Sequence, residues 1–191
     1  MSIATTKKKK QPKKISQNYL RNSGLFYLQR YAASSHQFQT AMVRKIDRSL
    51  YVHKAPDKDE CLKWLDEITQ EFKELGYLND EAYLKGMLQS LRLSRGCSAK
   101  MIIMKMRQKG FTETEISNAL SEIDGNDVDD QQKDAELQAA LTFARRKKLG
   151  PYHPTPARKT DEQQLATLAR AGFSYEIGRR IIFEYQDDNY A

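Results

Sequence analysis

The sequence predicts an all-α protein assembled from three tandem three-helix units. Three observations carry that expectation. Apolar residues recur at three-to-four spacing almost everywhere after Asn18, the period of an amphipathic helix. Glycines followed by a hydroxyl or amide side chain interrupt those stripes at short intervals, as the joints between helices do. One joint is also repeated: Lys109-Gly110-Phe111-Thr112 recurs as Ala171-Gly172-Phe173-Ser174. In both, glycine ends a helix, an aromatic ring turns inward and a hydroxyl caps the next helix.

Taken in order, Lys7 to Lys14 places six lysines in eight positions. Such a run buries nothing and repels itself, so residues 1–16 are expected to form a mobile basic tail. The first unit, residues 17–76, opens with a stripe of Leu20, Gly24, Tyr27, Leu28 and Tyr31. Ser34-Ser35 starts a second helix bearing Phe38, Met42, Ile46 and Leu50. After a loop at Ala55-Pro56, Asp57 with Glu60 gives a capping-box-like start to a third, whose stripe runs Leu62, Leu65, Ile68, Phe72, Leu75, with Trp64 as a core edge on its flank. Gly76 then supplies a left-handed cap, and Asn79 or Asp80, with Glu81 in the first turn, opens the next helix.

The second unit, residues 77–126, carries Tyr83, Leu84, Met87, Leu88 and Leu91 up to Gly96, then Ile102, Ile103 and Met106 up to Gly110. Thr112 with Glu115 is a capping box for a helix bearing Ile116, Leu120 and Ile123, and Gly125-Asn126-Asp127 breaks the chain. The third unit, residues 127–191, begins with a helix from Asp130 to Leu149, whose Leu149-Gly150 end matches Arg95-Gly96. Helices from Asp161 to Ala171 and from Ser174 onward complete it. The Gly150 to Gly172 spacing exceeds the Gly96 to Gly110 spacing by about eight residues, which are the Pro-rich stretch 151–158. Its three prolines forbid helix and predict an extended loop. Tandem units of roughly 50 residues imply an elongated helical array in which each unit touches its neighbours.

Composition narrows the function classes. No apolar run approaches the roughly 18 residues of a membrane span, and no apolar segment follows the basic start as a secretory signal requires, so the expected compartment is the cytoplasm. Cys61 and Cys97 read as reduced thiols, and His36, His53 and His153 have no metal-ligand spacing. There is no phosphate-cradling glycine loop and no His-Glu-x-x-His. Asp66-Glu67 and Asp129-Asp130 are adjacent pairs that diverge on a helix. The expectation is a protein without catalysis, metal or cofactor.

The net charge is +7, with an isoelectric point near 9.3, and it comes in bands. Residues 1–54 carry +11, 82–111 carry +7 and 139–160 carry +6, separated by acidic stretches. Repeated basic surface suits a polyanion. The candidate contacts are Lys7, Lys8, Lys9, Lys10, Lys13 and Lys14 in the tail, and Arg44, Lys45 and Arg48 on the second helix. Lys85, Arg92 and Arg95 follow one side of the fourth; Lys100, Lys105, Arg107 and Lys109 lie on the fifth. Arg145, Arg146, Lys147 and Lys148 encircle the seventh. Met101, Met104 and Met106 offer a pliable surface, although Ile102 and Ile103 among them assign at least half of that segment to core.

The segments Gly76-Tyr77-Leu78-Asn79-Asp80 with Tyr83, Arg95-Gly96 followed by Ile102 and Met106, and Lys109-Gly110-Phe111 resemble the RecX family of recombinase regulators, over about residues 20–186. Tyr27-Leu28, Arg30, Ser34, Phe38 and Met42 match that family's opening, while Gln37 and Ala41 stand where it usually has Glu and Lys. The resemblance implies a crescent of three three-helix repeats lying in the groove of a RecA–single-stranded-DNA filament. There it limits filament extension, ATPase and strand exchange, and so damps recombination, DNA repair and the SOS response. It also implies a monomer that meets single-stranded DNA, and duplex DNA through phosphates. Two alternatives stand beside it. Ser98 to Ile123 has the outline of a helix-turn-helix DNA binder, although its second helix bears Glu113, Glu115, Glu122 and Asp124 and no base. The array also suits a helical-repeat adaptor for another protein.

Overall fold

The computed structural model describes residues 11–125, 129–153 and 159–185, within which every regular element is helical. The chain divides into two compact units, one ending at Asp80 and one beginning at Glu81. Buried apolar residues form one cluster in the first unit and two in the second.

The first unit holds α1 (Gln17–Leu28), α2 (Ser35–His53) and α3 (Lys58–Glu74). Each start is capped by a side chain that accepts an otherwise orphaned N–H. Ser16 accepts from Tyr19, and Ser34 accepts from Gln37, whose own side chain closes a full capping box. Asp57 accepts from Asp59, so it caps α3 without the box expected with Glu60. Leu20, Phe38, Ile46 and Phe72 are fully buried, with the Phe38 and Phe72 rings 5.6 Å apart.

Three expectations change here. Leu75 does not close the apolar stripe; it is 56% exposed. Gly76, at φ 74°, turns the chain so that Leu78 enters the core instead, its N–H donating to the Phe72 carbonyl at 3.0 Å. Residues 12–16 do not belong to the expected mobile tail. Ile15 is 2% exposed, the Ser49 hydroxyl donates to the Lys13 carbonyl at 2.9 Å, and a His53 ring nitrogen lies 2.7 Å from the Pro12 carbonyl. Ile15 is the apolar anchor that the neighbouring lysines hide from a composition argument; Lys7, Lys8, Lys9 and Lys10 lie outside the described residues. Finally, the Asp80 carboxylate serves the first unit: it accepts from the Ser35 N–H at 2.7 Å, at the positive end of α2, and meets Lys73 at 3.6 Å.

The second unit continues from α4 (Asp80–Gln89), which widens into a π-helical turn over Ser90–Ser94. It adds α5 (Ala99–Arg107), α6 (Glu113–Asp124) and α7 (Asp129–Lys147). A 3-10 turn, Gly150–Tyr152, leads to α8 (Asp161–Arg170) and α9 (Tyr175–Arg179), which ends in a second π-helical turn, Arg180–Glu184. Thr112 with Glu115 forms the expected capping box, and Thr160 with Gln163 forms another. Leu88, Ile102, Met106 and Ile116 centre one core; Ala140, Leu149, Leu168 and Ile181 centre the other.

The repeated Gly-Phe joint closes as expected. The Phe111 N–H donates to the Met106 carbonyl and Phe173 to Leu168, and both rings are buried. The proposed match of Leu149-Gly150 to Arg95-Gly96 is off by two residues. Lys148 is the left-handed residue that ends α7 (φ 54°), and the Leu149 N–H returns to the Ala144 carbonyl. Gly150 and Pro151 start the 3-10 turn, so that part of the expected extended loop is helical; proline suits the first position of such a turn. Residues 154–158 lie outside the described residues.

Two outcomes follow from these packings. At Gly96, φ is 60°, and an added Cβ would collide with the Ala139 carbonyl oxygen and sit 2.6 Å from the Phe143 amide nitrogen. At Gly76, also at positive φ, it would meet nothing. Gly76→Ala is expected to cost about 1–2 kcal/mol from backbone strain alone, and Gly96→Ala about 3 kcal/mol or more because backbone atoms must move; urea denaturation separates them. Cys61 is fully buried in α3, and burial first, then the charges of Glu60 and Asp57, push its thiol up. It is expected to react with a disulfide reagent at pH 8 only after denaturant is added.

Candidate nucleic-acid interface

In the first unit, α1 and α2 present a second stripe beside the one each buries. On α1 it runs Tyr19, Ser23, Phe26 and Tyr27, with Arg30 just past the helix end; on α2 it runs Ala41, Arg44, Lys45, Arg48 and Ser49. Both follow helical spacing, so both line one groove, with a cavity volume of about 650 Å³. Tyr31 and Lys13 close its ends. The volume lies within the range typical of ligand sites.

Two residue types alternate along this groove. Phe26 and Tyr31 are 55% and 57% exposed, and the Tyr27 and Tyr31 ring centroids are 5.3 Å apart. Cations sit against the rings: the Arg30 guanidinium lies 4.2 Å from the Phe26 centroid, and the Lys45 and Lys13 ammonium groups lie 5.1 and 5.9 Å from that of Tyr19. No Asp or Glu lines the groove. Among the described residues, Lys13, Arg30, Arg44, Lys45 and Arg48 form no ion pair, whereas Arg21, Lys58 and Lys73 of the same unit pair with Glu71, Asp47 and Asp80. Lys14 is exposed outside the groove lining.

The second unit treats its bases differently. Arg92 is not on the surface with Lys85. Its side chain is 3% exposed and is held by Asp124, through Nε at 2.8 Å and Nη2 at 2.6 Å, and by Glu136. Burial opposes the guanidinium's charge, but the hydrogen bonds it donates to Asp124 and Glu136 outweigh it and raise its pKa. Lys85 lies 3.7 Å from Glu122, and Arg107 3.6 Å from Glu113. The Lys109 ammonium donates to the Tyr83 hydroxyl at 3.0 Å. Arg146 donates to the Arg95 carbonyl at 2.6 Å, and Arg145 lies over the Tyr152 ring at 5.1 Å. Arg95, Lys100, Lys147 and Lys148 are exposed, and Lys105 is half-buried. Met106 is buried, and Met104 is 50% exposed.

Of the expected contacts, then, the structure gathers Lys13, Arg44, Lys45 and Arg48 into one site and removes Arg92 from any. What sequence reasoning missed is the aromatic half of the site together with Arg30. The signal was present: Tyr19, Ser23, Phe26 and Arg30 repeat at helical spacing, offset from the core stripe. Among the described residues, no three His, Cys, Asp or Glu side chains gather as a metal site would require, and no helix is long and apolar enough to cross a membrane.

No family model matches the chain. It is 37% identical over 175 residues to the regulatory protein RecX of Myxococcus xanthus, covering 91% of this chain and 89% of that protein. It is 29% identical to the regulatory protein RecX of Agrobacterium fabrum, over 86% and 82% of the two chains. Its fold is similar to crystal structures of a regulatory protein RecX (TM-score 0.54, 20% identity, 88% of this chain and 72% of that one) and of RecX from Lactobacillus salivarius (TM-score 0.55, 21% identity, 88% and 95%).

Arg92 gives the test of this assignment of charge. Arg92→Ala would leave Asp124 and Glu136 facing each other without a cation, and it is expected to cost about 3–5 kcal/mol in chemical denaturation. Arg44→Ala, on an exposed and unpaired cation, is expected to cost under about 0.5 kcal/mol.

Proposed function

The chain belongs to the RecX family, and on that premise we propose that it regulates a RecA recombinase by occupancy, without catalysing a reaction. The observation that carries this is the 37% identity sustained over 91% of the chain. In this reading a cytoplasmic monomer lies along the groove of a RecA–single-stranded-DNA filament and limits its extension, ATP hydrolysis and strand exchange. It thereby acts in DNA recombination, DNA repair and the SOS response. The unpaired cations that line the α1–α2 groove supply long-range attraction to a filament whose DNA is a dense line of phosphates. The exposed cations of α5 and α7 extend the same complementarity.

The surface of α6 speaks against a helix-turn-helix reading of α5 and α6. Glu113 and Glu122 stand exposed on the helix that would enter a major groove, and the cations beside them, Arg107 and Lys85, are turned to them. A phosphate-lined groove would repel that face.

Titrating the protein into RecA on single-stranded DNA tests the proposal. ATP hydrolysis and strand exchange are expected to fall as the protein approaches stoichiometry with the filament, and raised salt is expected to weaken the effect. Unchanged hydrolysis and exchange at stoichiometric protein would end this reading.

A further inference from the structure

We propose that the groove between α1 and α2 is a stacking site for unpaired nucleobases, so that the first unit grips a short stretch of single-stranded nucleic acid directly. This deepens the reading above, on which it rests in taking nucleic acid as part of the target.

Rings and cations come together in this groove. A cationic groove alone attracts any polyanion, and its cations would do the same work on a bare surface. Here the cations come with aromatic faces left open to water, which costs free energy in the unbound protein. Phe26 and Tyr31 are more than half exposed and stand outside the core of the first unit. Arg30 lies against Phe26, and Lys45 and Lys13 lie against Tyr19. Phe26 and Tyr19 therefore each have a positive charge beside them, and Tyr31 lies near Tyr27 in the same groove, which is the arrangement a nucleotide asks for: a base on a ring and a phosphate on a neighbouring cation.

Duplex DNA cannot use these rings, because its bases already stack on one another; it would see only the cations. An acidic peptide would likewise leave Phe26 and Tyr31 wet. A single strand uses both halves. The spacing is also suitable. Tyr19 and Phe26 are seven residues apart on one helix, about 10 Å along its axis at 1.5 Å per residue, which is room for two or three unstacked nucleotides.

The experiment measures fluorescence anisotropy of a labelled 12-nucleotide oligothymidylate with the full chain and no RecA, across a salt series. Phe26→Ala and Tyr31→Ala are each expected to weaken binding about 5- to 100-fold with the salt slope unchanged, because they remove stacking and no charge. Arg44→Gln and Arg48→Gln are expected to weaken binding and to flatten the slope by about 0.7 each. An abasic strand of equal length should bind wild type more weakly than oligothymidylate binds Phe26→Ala, because it loses stacking on every ring at once. An oligouridylate arm separates RNA from DNA as the source of the strand, and a 12-base-pair duplex should bind wild type and Phe26→Ala alike. Phe26 and Tyr31 are exposed, so their variants are expected to melt as wild type does; Phe26→Trp, which keeps a ring, should restore binding and guards against a folding artefact. Equal affinity for abasic and base-bearing strands, or full affinity in both aromatic variants, would overturn the inference. The two readings fail separately. A protein that loses oligonucleotide binding with Phe26→Ala yet leaves RecA's ATP hydrolysis untouched refutes filament regulation alone. One that suppresses hydrolysis while Phe26→Ala binds oligonucleotide normally refutes the stacking site alone.

Discussion

A helix that ends in a left-handed residue leaves its last carbonyls to be satisfied by the returning chain, and the residue that satisfies them is delivered into the bundle. That constraint recurs throughout this protein. Leu78 reaches back to Phe72, Phe111 to Met106, Leu149 to Ala144 and Phe173 to Leu168. All four returning side chains are buried, at 3%, 8%, 0% and 4% exposure. Each turn therefore does two things at once: it closes the backbone hydrogen bonds of one helix, and it plants an apolar anchor that fixes where the next begins. Helices as short as α8 or α9 have little independent stability. Their place is set by these anchors more than by their own propensity.

The same geometry explains why glycine matters at some joints and less at others. Gly76 and Gly96 share a left-handed backbone, yet only Gly96 lies against the backbone of another helix, α7. At the end of α7 the position is held by Lys148, also left-handed. The constraint is thus on the turn and on the apolar residue after it, and the identity of the turning residue is secondary where there is room for a side chain.

Much of this was legible in the sequence because it is local. The caps at Ser34 and Thr112, the Gly-Phe joints and the core stripes of α2, α3 and α5 all depend on spacings of eight residues or fewer. The errors arose where a distant partner or a change of helical period decided the outcome. Arg92 reads as a neighbour of Lys85 on an ideal helix, but it lies within the π-helical turn Ser90–Ser94, which rotates later side chains off the α-helical face. Its carboxylate partners lie 32 and 44 residues further along the chain. Leu75 and Leu78 likewise exchange roles because a turn intervenes. Of the candidate site, the cations of α2 were visible and the rings of α1 were not, because aromatic residues at helical spacing read first as core.

Counting charge along the chain therefore overstates some surfaces and understates others. The stretch 82–111 has seven bases and no acid, yet Arg92 is buried, Lys85 and Arg107 face Glu122 and Glu113, and Lys109 is turned to Tyr83. The acids that balance this stretch come from α6 and α7, outside the counted window. In the first unit the balance goes the other way. Glu71 of α3 is used on Arg21 and Asp47 of α2 on Lys58, and no acid lines the α1–α2 groove, which leaves its cations without an internal partner. An exposed pair contributes little to stability, so leaving these cations unpaired costs the fold almost nothing, while every pair avoided is a charge kept available. In the first unit the unpaired cations and the open aromatic rings therefore line the same groove.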